Sequence, residues 1–540
     1  MKKQYTAEEA YAMLASASDG NETDTASDFD PGQFSDTDSN ASVTAPLADE
    51  PAAKRSHTTD PSPAADAGDG EVWVPPNQTS PVIPPFTATP GIKVDVAGFT
   101  PVQYLDLFLG EYILTMIASQ TNIYAANYIA AHPTCSFSKQ QNWDPTDAME
   151  LRRFWALTLC MGIIKKPSIR SYWSKDIVMS TPIFPHTMPR LRYEMLLGFL
   201  HFNDNSQCPP KEDPRYDRLY KIRPLLTHFQ ARFAELYTPQ QNLAIDESLM
   251  KFKGRLAFKQ YIPSKRSRYG VKFYKLCESE SGYVHAFRIY EGKDCHLDPP
   301  GCPEYLGTSA KIVWDLMLPL LNKGYHLYLD NFYTSVPLFR LLYCFETVAC
   351  GTIRSNRKGF PAQLAKTQLK KGEYSALRRQ ELLALKFRDK KDVRMLSTIH
   401  NESTMGIPVH GSGGVTLKPV CVRAYNKHMG GVDLADQLLQ PYLIMRKCRA
   451  WYKKVAIYMM QIATHNAFLI FKKSHPGAKT FLQFQLRLIS EMLTSNAPGP
   501  SAVSAKLLRE IGLQKAGDAG FCCQGVAQAD LPCRDVCKNP

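Results

Sequence analysis

Three aspartates in the second half of the sequence stand where carboxylates can meet at one edge of a sheet. Asp246 lies in the strand-like run LAIDESLMKF, Asp330 ends the run HLYLD, and Asp433 opens a helix after a Gly-Gly break. Convergent carboxylates suit a pair of divalent cations that activate the attacking oxygen and stabilise the leaving oxygen in a phosphoryl displacement. Oxygen ligands favour Mg²⁺ or Mn²⁺ over zinc. Each aspartate also has a structural explanation, as a turn residue or a helix cap.

A cationic stretch follows Asp246, and no acid interrupts it between Glu247 and Glu278. Aromatic residues such as Phe252 and Phe258 recur among its basic side chains. A basic track with interleaved aromatics is typical of a surface that binds nucleic-acid phosphates, and a merely solvated face is the alternative. The candidate DNA-binding cations are Lys251, Lys253, Arg255, Lys259, Lys265, Arg266 and Arg268, and the run continues to Lys272 and Lys275.

The elements around these acids predict a mixed α/β fold. After Pro239 the pattern indicates three strands, a helix, a strand, a helix and a further strand, and that order differs from a regular Rossmann alternation. Before it, helical patterns cover Tyr104 to Ala131, Asp147 to Met161 and Met188 to Phe202. A long amphipathic helix is predicted from Trp451 to Lys472.

The charge of the chain is divided between an acidic beginning and a basic remainder. Residues 1–100 contain 16 Asp and Glu against 5 Lys and Arg, so the totals of 51 and 64 leave 35 acids and 59 bases in residues 101–540. The remainder therefore has a net charge of +24, which favours a polyanionic partner such as DNA. The first 95 residues have few large apolar side chains, and we expect them to be disordered.

The cysteines and the absence of an apolar leader point to an intracellular protein. Ten of the 14 cysteines are scattered singly from Cys135 to Cys448, as expected in a reducing compartment. No apolar segment follows Met1, and no apolar run is long enough to span a membrane. We therefore expect neither secretion nor membrane insertion.

Eight sequence stretches resemble the piggyBac family of transposases over about residues 80 to 495. They are SYWSKD at Ser171, FLHFNDN at Phe199, AIDESLMKFKGR at Ala244, QYIPSKRSRYGVKFYKLCES at Gln260, LDNFYTS at Leu329, CGTIRSNRKG at Cys350, YNKHMGGVDLADQ at Tyr425 and RAWYKK at Arg449. The resemblance implies a nuclear DNA transposase with a ribonuclease-H-like core. Such a protein would act as a homodimer, cut element ends through DNA hairpins and join 3′-hydroxyls at TTAA targets.

The resemblance also implies roles for individual residues. Asp246, Asp330 and Asp433 would bind two Mg²⁺ or Mn²⁺ ions, with Asp436 as a fourth, supporting acid. Arg354 and Arg357 match basic positions near the cleaved strand, although a basic loop is usually just exposed. Trp451 matches a tryptophan near the DNA end, although a tryptophan at helical spacing is more often part of a core.

The same resemblance implies a domain plan. A disordered tail (1–95) would precede a helical dimerisation and DNA-binding domain in two parts (96–241 and 441–495). A catalytic core in two parts (242–355 and 419–440) would enclose an insertion domain (356–418). The remaining residues, 496–540, would form a degenerate cysteine-containing tail.

The tail departs from the family, whose members commonly end in a zinc-binding domain with CxxC pairs. Here Cys522, Cys523, Cys533 and Cys537 remain, without a CxxC pair, so we expect no closed zinc site. This departure keeps a second function open, that of a domesticated DNA-binding or chromatin protein that no longer transposes. A plain nuclease lacks distinctive support in the sequence.

Overall fold

A computed structural model describes residues 72–77, 81–132, 143–263, 267–293, 297–408, 415–444, 448–477 and 480–494. Residues 1–71 and 78–80 of the tail expected to be disordered, together with Lys265, Arg266 and the four C-terminal cysteines, lie outside these residues. Residues 72–77 and 81–95, expected to belong to that tail, instead contact the folded body: Val74 pairs with Arg378, and Gly91 and Ile92 pair with Thr238 and Tyr237. Among the helices described, none combines the length and the apolar composition that crossing a membrane requires.

One mixed sheet of nine strands organises the fold, with the order β4-β5-β3-β7-β8-β11-β10-β9 and with β6 also paired to β5. Strands β3, β7 and β8 run parallel to one another, and the other pairs are antiparallel. Two short two-stranded sheets, β1-β2 and β12-β13, lie beside it. The strands are β1 Gly91–Ile92, β2 Tyr237–Thr238, β3 Asn242–Lys251, β4 Gln260–Tyr261, β5 Tyr269–Glu278, β6 Val284–Ile289, β7 His326–Leu329, β8 Val348–Thr352, β9 Tyr374–Arg379, β10 Leu382–Arg388, β11 Asp392–Ser397, β12 Thr404–Pro408 and β13 Val415–Pro419.

Helices cover both faces of this sheet and extend beyond one side of it. They are α1 Pro101–Leu109, α2 Glu111–Ala131, α3 Ala148–Ile163, α4 Ile183–Thr187, α5 Arg190–Phe199, α6 Arg223–Leu236, α7 Thr308–Met317, α8 Val336–Cys344, α9 Ala362–Lys366, α10 Val420–His428, α11 Gly431–Leu439, α12 Trp451–Ser474 and α13 Phe481–Thr494. The mixed α/β class predicted from the sequence is confirmed.

Alternate side chains of the central strands enter different cores. Leu243 and Ile245 of β3 pack in one cluster with α7 and α8, whereas Met250 packs in another with the helices that include α12. Because successive side chains of a strand point to opposite faces, Asp246 and Ser248 face the α11 and α12 side together with Met250. The apolar residues of the strand thereby fix which way its acid points.

Two sequence expectations differ from the structure in their boundaries. The predicted helix from Tyr104 to Ala131 is two helices, because Gly110 adopts extended backbone angles between them. A Cβ at Gly110 would lie 2.6 Å from the carbonyl oxygen of Asp106, so this close approach requires glycine. Asp246 lies in the middle of β3 and not at an end of it, because pairing with β5 from Leu243 to Lys251 continues the strand past the acid.

Residues 356–418, predicted to be an insertion, contribute β9, β10 and β11 to the main sheet. They also form β12 and all of β13 except its last residue, Pro419. The sheet continues through β11, whose residues Met395 to Ser397 pair with Thr352 to Cys350 of β8. Lys386 of β10 is 3% exposed, and its ammonium donates to the carbonyls of Ala365 and Thr367. Lys386 is therefore accommodated inside the sheet because two backbone carbonyls and the carboxylate of Asp392, 3.2 Å away, surround its ammonium.

Buried histidines predict a loss of stability in mild acid. Burial lowers the pKa of His465 to about 4, although a hydrogen bond to Gly282 opposes the shift. The unfolded chain takes up a proton near pH 6.5 and the folded chain does not. Stability is therefore complete above about pH 6.5 and falls on acidification by about 1.4 kcal/mol per pH unit for this group, down to its folded pKa.

Urea unfolding between pH 7.5 and pH 5.5 measures this slope. Glutamine at position 465 retains a donor for the Gly282 carbonyl and does not titrate. His465→Gln should therefore reduce the slope of unfolding free energy against pH by the contribution of one proton, about 1.4 kcal/mol per pH unit. His186→Gln, at an exposed position, is the matched control and should leave the slope unchanged. Equal slopes in His465→Gln and the parent would contradict the buried, neutral state of His465.

Candidate active site

The structure places Asp246 and Asp330 side by side on neighbouring parallel strands. The register pairs Ile245 of β3 with Leu329 of β7, and each aspartate follows directly. Both are half-buried. The pKa of Tyr425 is raised to about 12, mainly by burial and further by the nearby charges of both aspartates. The sheet therefore brings together two carboxylates that are 84 residues apart in the sequence.

The loop after β7 holds Asp330 in place. The backbone N–H of Phe332 donates to its carboxylate at 2.8 Å, and Thr334 donates to its carbonyl oxygen through both its N–H and its hydroxyl. A Cβ at Gly351 would lie 2.3 Å from that Thr334 hydroxyl, so glycine allows β8 to pass the turn. The turn interpretation of Asp330 is thus correct as local structure.

Burial raises the pKa of Asp330, and the nearby charge of Glu247 raises it further. The Phe332 N–H and Arg354 act in the opposite direction. The net shift shows that this carboxylate sits in surroundings that disfavour its negative charge.

Two arginines lie against the same loop. Arg354 donates from Nε to the side-chain oxygen of Asn331 at 3.0 Å, and Arg357 donates to the backbone oxygens of Asn331 and Phe332. Burial lowers the pKa of Arg357, and Arg354 lowers it further. Both cations therefore lie next to Asp330, with Arg354 exposed.

Asp433 lies on the first turn of α11, beside the same face of the sheet. At the start of the helix, a Cβ at Gly431 would lie 3.0 Å from the carbonyl oxygen of Glu278, the β5 residue that pairs with Leu243 of β3. Further along the helix, Asp436 accepts a hydrogen bond from Ser248 of β3. The helix therefore runs along β3, and Asp433 falls beside the segment that carries Asp246. Asp433 is exposed and is not the N-cap residue, which is Gly430.

Asp436 forms an ion pair with Lys275, the lysine at the end of the basic run that follows Asp246. The ammonium of Lys275, 0% exposed, lies 2.7 Å from the Asp436 carboxylate and donates to the hydroxyl of Tyr458 at 2.8 Å. Ser248 also donates to Asp436 at 3.0 Å. Burial is the largest single influence on the pKa of Lys275 and would lower it, but the charge of Asp436, the neighbouring Tyr458 and the hydrogen bond to Asp436 together raise the pKa.

The donor set at this sheet edge partly fits a divalent metal ion. Asp246 and Asp330 supply the adjacent carboxylate oxygens that Mg²⁺ or Mn²⁺ prefers. Within the described residues, however, no three His, Cys, Asp or Glu side chains form a group that could hold a metal ion, so Asp433 does not complete one. The structure thus assembles the pair and places the third acid on the first turn of α11, the helix that packs along β3.

The basic stretch after β3 divides into exposed and buried cations. Four of its cations are exposed, Lys259 is half-buried, and Lys272 and Lys275 point inward from β5. Lys272 lies 3.8 Å from Glu247 and over the rings of Tyr274 and Phe332, which excludes it from a surface track. The exposed members are Lys251, Lys253, Arg255 and Arg268.

Trp451 joins this stretch to the helical layer. It begins α12, is half-buried, and contacts Phe258 edge to face with ring centroids 5.4 Å apart. Its ring also packs against the large core that contains Phe258 and Tyr452. The core interpretation of Trp451 therefore accounts for its described contacts.

Comparison with known proteins gives concordant matches. A family model described as Transposase IS4 matches residues 100–468, more than half of the chain. Human PiggyBac transposable element-derived protein 3 is 24% identical over 425 residues, which cover 74% of this chain and 66% of that protein. Human PiggyBac transposable element-derived protein 2 is 25% identical over 418 residues, with the same coverage. The chain thus spans just under two thirds of the length of these relatives.

A solved structure has the same fold. The cryo-EM structure of a piggyBac transposase synaptic complex with hairpin DNA superposes with a TM-score of 0.67 at 24% sequence identity, over 78% of this chain and 88% of that one. The family expected from the sequence motifs is thereby confirmed. With a family model that spans most of its folded residues, the chain belongs to the transposase family described by that model and, within it, to the piggyBac transposases.

Proposed function

We propose that this protein is a metal-dependent DNA transposase, and the adjacent carboxylates of Asp246 and Asp330 are the observation that carries the proposal. They lie on a mixed sheet whose fold matches a transposase bound to hairpin DNA. In this proposal the protein acts in the nucleus as a homodimer. It cuts element ends, proceeds through hairpins and joins 3′-hydroxyls at TTAA.

The chain's own residues would divide the work at the cleaved strand. Asp246 and Asp330 would hold a divalent cation, Asp433 would add a third carboxylate from α11, and Asp436 would keep that helix in place. Such cations polarise a phosphoryl oxygen and make a bound water nucleophilic near neutral pH. Arg354 and Arg357, fixed to the loop after Asp330, would bind the phosphate next to the one that is cut.

A second candidate is a DNA-binding protein that has lost cleavage, and the Asp436–Lys275 pair favours it. A fully buried ammonium lies one strand from Asp246, because Lys275 is its register partner on β5. Positive charge at this place reduces the negative potential that attracts a divalent cation. DNA binding without any metal-dependent cleavage would establish this second function.

The deciding experiment is a nicking and joining assay on the full-length chain. Duplexes that carry candidate terminal repeats next to TTAA are incubated with Mg²⁺ or Mn²⁺, and with EDTA as the control. Metal-dependent nicks followed by hairpins and joined products support the transposase. Tight DNA binding with no nick on any flanking repeat, in either metal, would refute it.

The exposed cations predict how DNA affinity responds to salt. Each neutralised phosphate releases counterions, so log K should fall with log salt by about 0.9 for each contact on duplex DNA. Lys253→Ala and Arg255→Ala should each weaken binding and reduce this slope by about 1. Fluorescence anisotropy between 50 and 200 mM salt, about the range in which such losses are large, measures both quantities.

Lys371→Ala is the matched control for these variants, because Lys371 is exposed on the approach to β9. Its slope should equal that of the parent. A slope unchanged in both Lys253→Ala and Arg255→Ala would place the DNA elsewhere on the protein.

A further inference from the structure

A cavity of about 340 Å³ lies at the end of the sheet opposite the paired aspartates. Tyr325, which lines it, precedes β7, whereas Asp330 follows β7. At about 3.3 Å per strand residue, the two positions are about 16 Å apart along the strand. The cavity is therefore separate from the candidate active site.

Fixed backbone elements form the walls of the cavity. The segment before β1 crosses the start of β7, where the N–H of Thr87 donates to the carbonyl of Lys323 at 3.2 Å and Phe86 packs edge to face on Tyr325. Gly324 permits this crossing, since its φ is +71° and a Cβ there would lie 2.2 Å from the Pro85 carbonyl oxygen. The cavity is thus a built feature of the fold.

Two lysines give the cavity a positive lining. The ammonium of Lys93 donates to the carbonyl of Ala234 at 3.0 Å, and that of Lys323 donates to the carbonyl of Pro319 at 2.8 Å. Each ammonium has three donors, so each retains two for a ligand. Among the described residues that line the cavity there is no Asp or Glu, and Thr87, Thr89 and Thr238 add hydroxyl groups.

A buried histidine lines the same cavity with an unsatisfied ring nitrogen. His285 is 3% exposed, and its Nδ1 has no hydrogen-bond partner among the described residues. Burial lowers its pKa to about 3, with Lys93 and Lys323 lowering it further and a backbone hydrogen bond to Tyr237 opposing them. The ring is therefore neutral, and because its Nδ1 is shielded from solvent, the histidine forms an uncharged part of the cavity wall beside the two lysines.

We propose that this cavity binds a small phosphate-bearing ligand. At neutral pH a phosphate group offers charged oxygens that can accept hydrogen bonds from Lys93 and Lys323 and from the threonine hydroxyls of the lining. The concave shape and the small volume suit a compact group of this kind, in contrast to the open, exposed cations that would follow duplex DNA.

Calorimetric titration of the full-length protein with inorganic phosphate tests the site, with thermal unfolding as a second readout. We expect saturable binding and a raised unfolding midpoint relative to chloride at equal ionic strength. Lys93→Met with Lys323→Met should weaken binding at least about tenfold, because two charge-assisted hydrogen bonds are lost. Both lysines are exposed, so this double variant should fold.

Lys370→Met with Lys371→Met is the control, because it removes the same charge from the exposed approach to β9 and should leave phosphate affinity unchanged. Equal phosphate affinity in the Lys93 and Lys323 double variant would overturn the proposal. Displacement of phosphate by duplex DNA would assign the site to DNA and overturn the small ligand. None of these results depends on whether the protein cuts DNA.

Discussion

Asp330→Asn should reduce metal-dependent strand cleavage about a thousandfold. A bound divalent ion supplies several kcal/mol of transition-state stabilisation, and each 1.36 kcal/mol corresponds to a factor of ten. Asparagine has the same shape and can still accept the hydrogen bond from the Phe332 N–H, so the loop should keep its conformation. Single-turnover nicking of a labelled duplex measures the loss, and Asp246→Asn should give a similar one.

The same substitution should not destabilise the metal-free protein. Because burial raises the pKa of Asp330, the fold disfavours its charge, and a neutral side chain relieves that cost. The unfolding midpoint of Asp330→Asn in EDTA should therefore equal or exceed that of the parent. Glu304→Gln, at an exposed position before α7, is the matched control and should keep full activity. Cleavage by Asp330→Asn at the parental rate would remove Asp330 from the active site.

The combined variant separates a shared site from two independent ones. If Asp246 and Asp330 hold the same ion, Asp246→Asn with Asp330→Asn should cost little more than either substitution alone. Additive losses would indicate separate contributions from the two acids. DNA affinity in EDTA should stay near the parental value in all three variants.

The sequence was sufficient to predict the strands that carry the paired acids. The runs around Asp246 and Asp330 are apolar and rich in β-formers, and the two parallel strands bring the acids together as expected. Helix α6 was not predicted, although Leu226, Phe229, Phe233 and Leu236 recur at helical spacing and are all buried. The spacing of these apolar residues is the sequence signal that predicts this helix.

The direction of individual lysines could not be predicted. Both faces of β5 are buried, because the strand lies between two helical layers, so alternation does not mark an exposed face. Lys275 and its partner Asp436 are 161 residues apart, and only the packing of α11 against β3 and β5 brings them together. The sequence therefore shows Lys275 as the continuation of a basic run, whereas in the structure its charge is paired inside the protein.

That buried ion pair leads to the largest expected change in stability. Asp436→Ala should lower the free energy of unfolding by about 3 kcal/mol, because it leaves the ammonium of Lys275 fully buried without a carboxylate. This loss lies at the lower end of the range usual for breaking a buried ion pair, because the Asp436 side chain is 36% exposed and water can approach the site. Urea unfolding in EDTA measures the effect, and the absence of metal separates it from any role of Asp436 in ion binding.

Lys275→Met with Asp436→Asn should recover most of that stability. Methionine matches the unbranched lysine stem in the core, and asparagine can still accept the hydrogen bond from Ser248. The double variant should therefore be about 2 kcal/mol more stable than Asp436→Ala, as expected for the neutral replacement of a buried ion pair. Because α11 also carries Asp433, a rescued variant that cleaves DNA would show that Asp436 acts by holding the helix. An Asp436→Ala protein as stable as the parent would mean that Lys275 finds water or another partner, and the ion pair would then have no structural role.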